Sequence, residues 1–65
     1  MRVGDIVVVV RPDAMSRARG VVKGDIGIII VMEVGMSCYV TLPRLGEVVY
    51  FHDSEIRLFL EEDLK

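Results

Sequence analysis

Tryptophan is absent from the chain, cysteine occurs once and proline twice, and the aromatic residues are two Phe and two Tyr. Each scarcity excludes something. The lone Cys38 closes no disulfide within the chain, so a reducing compartment and a cytoplasmic location are expected. Cys38 and His52 are the only soft ligands, and zinc sites usually draw four from Cys and His, so no metal or other cofactor is expected. No apolar run approaches the ~18 residues needed to cross a bilayer. The longest, Ile26 to Met32, contains a glycine. Met1-Arg2 leads into an apolar run without a small-residue cleavage site, so no signal peptide and no membrane partner are expected. Neither charge dominates: 8 Lys and Arg face 10 Asp and Glu, for a net charge of -2. With an isoelectric point near 5.2, this argues against a general polyanion binder.

Motifs of chemistry are missing too. Gly24-x-x-Gly27 lacks the remainder of a dinucleotide fingerprint or a P-loop. Ser16, Ser37 and Ser54 fall in turn-like stretches, and none sits in a nucleophile elbow. Cys38 on an apolar strand reads as a small buried hydrophobe rather than a nucleophile. No enzymatic activity is expected.

Aliphatic residues are what the chain has in excess. Apolar residues make up 52% of it, and the mean hydropathy is +0.48. One domain of this size buries only roughly 60% of its unfolded surface, and a small barrel encloses about ten to fifteen side chains. The surplus must lie outside the core or in an interface. The triplet Gly-Asp-Ile occurs at residues 4–6 and again at 24–26, and each copy opens an aliphatic run. Val and Ile are stiff at χ1 and favour the pleated strand.

The punctuation predicts five strands. The first is Ile6 to Val10, ended by Pro12. Asp13 to Gly20 is a long first loop, with one short helical turn capped by Asp13. A second strand runs from about Val21 to Val34, interrupted near Lys23-Gly24, with Gly24 and Gly27 at a bulge or bend. Cys38 to Leu42 and Glu47 to Phe51 follow, separated by the Pro43-Arg44-Leu45-Gly46 turn. His52 to Glu55 has the composition of a 3-10 turn. Ile56 to Leu60 is the last strand. Residues 1–60 then form one all-β domain, and residues 61–65 an acidic C-terminal tail.

Val22-Lys23-Gly24-Asp25-Ile26-Gly27-Ile28-Ile29 resembles the KOW motif, with its basic residue, paired glycines and following aliphatic strand. Gly4-Asp5-Ile6-Val7 resembles the usual opening of such domains. Phe51-His52-Asp53-Ser54-Glu55-Ile56 resembles the close of many small bacterial and phage-encoded SH3-like proteins. The resemblance covers nearly the whole chain. It implies a five-stranded SH3-like barrel with a long first loop and a 3-10 turn before the last strand.

Alternation divides each strand into two faces. Thr41 marks the outer face of its strand, so Cys38, Val40 and Leu42 point inward. The barrel resemblance implies Val7, Val9, Ile29, Val31, Val49, Phe51, Ile56 and Leu58 inside. It leaves Ile6, Val8, Ile28, Ile30, Met32, Tyr39, Val48 and Tyr50 outside, as a patch larger than the ~300–600 Å² usual for monomers. The first loop carries Arg11, Arg17, Arg19 and Lys23, offset only by Asp13. In an extended loop Arg17 and Arg19 point the same way, toward one anionic surface.

The partner-binding candidates are therefore Arg11, Arg17, Arg19, Lys23, Ile28, Ile30, Tyr39 and Tyr50. They suggest a non-catalytic protein-interaction or assembly module, self-associating or binding another protein. The alternative is a KOW-like nucleic-acid- or ribosome-associated module. Against that alternative stand the acidic balance and the absence of aromatic residues around the basic loop.

Overall fold

The computed structural model describes residues 1–60. The acidic tail expected at residues 61–65 lies outside the described residues. The elements run β1 (Ile6–Val9), α1 (Ala14–Ala18), β2 (Ile26–Glu33), β3 (Ser37–Leu42), β4 (Glu47–His52), a 3-10 turn (Asp53–Glu55) and β5 (Ile56–Leu58). The fold is all-β, a single five-stranded sheet in the order β4-β3-β2-β1-β5, with every neighbouring pair antiparallel. Among the described residues no ladder joins β4 to β5, so the sheet is open.

The repeated triplet has a structural meaning. Gly4 and Gly24 both adopt left-handed φ, +95° and +98°, at which a side chain is strained and glycine is not. Each closes a tight turn into its strand. The amide of Gly4 donates to the carbonyl of Ile29, and that of Gly24 to the carbonyl of Val9, both at 2.8 Å. The amide of Ile29 donates to the Asp5 carbonyl, and that of Val9 to the Asp25 carbonyl. The copies thus cross as antiparallel partners about a local two-fold axis, with Val7 opposite Gly27.

The second strand consequently starts at Ile26 rather than near Val21, because Val22 to Asp25 is used up in the turn. Val21 is a buried loop residue. Gly27 is not the bulge. A Cβ there would press into the Thr41 carbonyl oxygen and the side chains of Val40 and Leu42; glycine lets β3 approach. The register shift falls two residues later, between Ile29 and Val31.

The core is one cluster: Val7, Val9, Val21, Ile29, Cys38, Val40, Leu42, Val49, Phe51 and Ile56, with Leu45 packed against it. The inward phase of Cys38, Val40 and Leu42 holds. Three other residues differ from expectation, Val31 in face and Leu58 and Val8 in burial alone. Val31, expected inside, is 45% exposed. The shift before it places two residues of β2 against one of β3, which resets the alternation and pairs Val31 with Tyr39. Leu58, also expected inside, is exposed as the final residue of an edge strand. Val8, expected outside, is buried. It sits between Ile26 and Arg57 on the flanking strands, and long side chains such as arginine shelter apolar neighbours with their stems.

Candidate interaction surfaces

On the outer face, strand pairing aligns Ile6 with Ile28, Ile28 with Thr41, and Thr41 with Val48. This row crosses four strands, and all three of its aliphatic members are exposed. A second row runs Val31, Tyr39, Tyr50, and the extra residue of the register shift, Ile30, is exposed between the rows. The two tyrosine rings meet edge to face with centroids 5.0 Å apart, a favourable geometry for aromatic pairs. The charge of Glu33 pushes the Tyr39 hydroxyl above its ordinary pKa. Of the apolar candidates, Ile28, Ile30 and Tyr50 are open to solvent, while Tyr39 is half-buried.

The first loop contains the helical turn expected of it. Asp13 caps α1, its carboxylate accepting the Ser16 amide at 2.8 Å, and that amide bond holds the Asp13 carboxyl below its ordinary pKa. The helix ends on Gly20 with φ +96°. The Val21 amide reaches back to the Ser16 carbonyl, and the Gly20 amide to that of Arg17, a Schellman closure. This reverses the chain, so Lys23 returns toward Arg17. Arg11, Arg17 and Lys23 thereby line one open groove of about 540 Å³ with Val10, Pro12, Gly20, Val21 and Val22.

Arg19 does not join them. Two residues apart on a helix means about 200° of rotation, so the expectation that Arg17 and Arg19 point together is overturned. Arg19 lies 3.8 Å from Glu47 of β4 and lines a separate cleft with Val49 and Tyr50.

Two polar anchors were not singled out as such from the sequence. Arg44 grips Asp25 through Nε at 2.5 Å and Nη2 at 2.8 Å, and also donates to the Gly20 carbonyl. The bonds from Arg44 hold the Asp25 carboxyl below its ordinary pKa, against the opposing effect of burial. Glu55 takes the Asp13 amide on Oε1 and the His52 amide on Oε2, while its carbonyl takes the amides of Val10 and Arg11. It fastens the groove's rim to the 3-10 turn. The capping-box spacing from His52 to Glu55 was the one local signal for half of this role.

No family model, curated protein or solved structure matches this chain.

Cys38 is buried, and burial pushes its thiol up, away from the reactive thiolate. His52 is engaged locally: Nδ1 accepts the Ser54 amide and lies 3.2 Å from Asp53. Among the described residues no three His, Cys, Asp or Glu side chains gather as metal ligands, and no helix is long and apolar enough to cross a membrane.

Proposed function

We propose that this domain is a non-catalytic interaction module of SH3-like architecture that self-associates through the outer face of its sheet. The observation that carries the reading is the exposed row of Ile6, Ile28 and Val48, continued by Ile30 and Tyr50. The strand order, the long first loop and the 3-10 turn before β5 support the SH3-like part.

Fully burying one such aliphatic side chain is worth about 1.5–3 kcal/mol, against an association cost of about 4–15 kcal/mol. Several must act together, and a two-fold interface uses each of them twice.

The test is the double change Ile28→Lys plus Ile30→Lys. Both side chains are exposed, so circular dichroism should stay that of the wild type. Sedimentation velocity at two concentrations should show the wild type associating and the variant monomeric. A wild type that remains monomeric at the higher concentration overturns self-association through this face.

A further inference from the structure

We propose that the groove between the end of β1 and α1 binds an acidic, aliphatic-bearing peptide segment of a partner protein. This rests on the reading of the domain as an interaction module and gives it a second site, separate from the sheet face.

The first support is the state of the cations. Arg44 is paired with Asp25, Arg19 lies by Glu47, and Arg57 donates to the Leu58 carbonyl. Arg11, Arg17 and Lys23 are exposed and make no side-chain hydrogen bond or ion pair among the described residues. In a chain with more acids than bases, three uncommitted cations converge on one groove whose lining, among the described residues, holds no carboxylate.

The second support is the wall between them. Val10, Pro12, Val21 and Val22 make the lining largely aliphatic. Guanidinium groups take carboxylates in a bidentate fork, and the aliphatic wall rewards an apolar neighbour in the same ligand. A volume near 540 Å³ falls within the ~300–1,000 Å³ of ordinary ligand sites. Among the described residues no aromatic side chain lines the groove, so these residues offer bases no stacking platform. The net charge of -2 opposes any anionic ligand at long range, and a polyphosphate with its denser charge more than a segment that alternates acidic and aliphatic residues. These features favour a peptide over a nucleic acid.

The probe is a fluorescein-labelled hexapeptide alternating Glu and Leu, read by anisotropy at low salt. An alternating Gln and Leu peptide, an all-Glu peptide and an oligo-uridine RNA serve as comparators. The Glu-Leu peptide should bind best, and added salt should weaken it, since exposed charges are screened. Arg11→Ala with Arg17→Ala should lower its affinity roughly tenfold or more, without moving the thermal midpoint. Ile28→Lys plus Ile30→Lys should bind it as the wild type does, so loss of self-association and loss of peptide binding are separable. The proposal is overturned if no probe binds, if the Gln-Leu or all-Glu peptide binds equally, if the RNA binds more tightly, or if the double arginine variant binds normally.

Discussion

At both Gly-Asp corners the aspartate Oδ2 accepts the amide three residues back, from Arg2 in the first and from Val22 in the second, each at 2.9 Å. The same short sequence builds the same turn twice. Beyond the turn the corners diverge. Asp25 is buried and held by Arg44, whereas Asp5 is only partly covered and has no such partner among the described residues. Two positions further on, Val7 is fully buried, while its counterpart Gly27 lies against β3 with no room for a side chain. Local sequence sets the backbone of each corner. The neighbour that arrives from elsewhere in the chain decides which corner becomes structural.

The comparison breaks most sharply at Gly27. Gly27→Val makes the copies alike at this position, and the added atoms meet the Thr41 carbonyl, which cannot move without disturbing the ladder. The cost should reach the upper end of overpacking, about 3 kcal/mol, a large share of the stability of so small a domain. A thermal midpoint within about 5 °C of the wild type would mean that β3 retreats easily and the copies are interchangeable.

Asp25→Ala should cost about 2 kcal/mol, the range for hydrogen bonds to charged groups, because half-exposed Arg44 regains water. Asp5→Ala should cost about 0.5–1 kcal/mol, one exposed turn bond. Urea melts that rank the two equally would show that Arg44 adds nothing to its corner.

Acid should test the Asp25 corner on its own. The folded pKa of Asp25 lies below the ordinary 3.8. Its contribution is therefore complete above that value and lost as the pH falls through the depressed one. Arg44→Ala should flatten the loss of stability measured below about pH 4. An acid profile untouched by Arg44→Ala would remove the pair from the account.

The smallest difference is expected at the glycines of the turns themselves. Gly4→Ala and Gly24→Ala each force a side chain to positive φ in open space. Both should cost about 1–2 kcal/mol and differ by less than the error of a melt. Unequal losses would mean that the local two-fold is only approximate in energy.

Much of this fold was legible in the sequence, and the failures have physical causes. Thr41 fixed the phase of β3, because one polar residue among Cys38, Val40 and Leu42 is enough to mark a face. The run Ile28-Ile29-Ile30-Val31-Met32 has no such marker, so the register shift inside it and the outward turn of Val31 left no trace. Three of the four basic loop residues do share a groove. Arg19 does not, because a five-residue helix replaces extended chain at that point. The pairing of Arg44 with Asp25 spans 19 positions, and nothing local in a Pro-Arg-Leu-Gly turn reports where its arginine reaches. Glu55 was half legible: its cap to His52 is local, its bond to Asp13 is not.

That bond, together with the two amides on its carbonyl, gives Glu55 a place in the order of assembly. β1 to β4 and the turns between them can pair as soon as residues 1–52 are available. On the rim of the groove, the amides of Val10, Arg11 and Asp13 gain their bonds only when Glu55 arrives. In a chain made from its N-terminus, contacts of long sequence separation form last. The groove is therefore among the last features of the described fold to be completed, ahead only of the end of the β1–β5 ladder, and a chain interrupted before Glu55 carries the basic residues without the frame that gathers them.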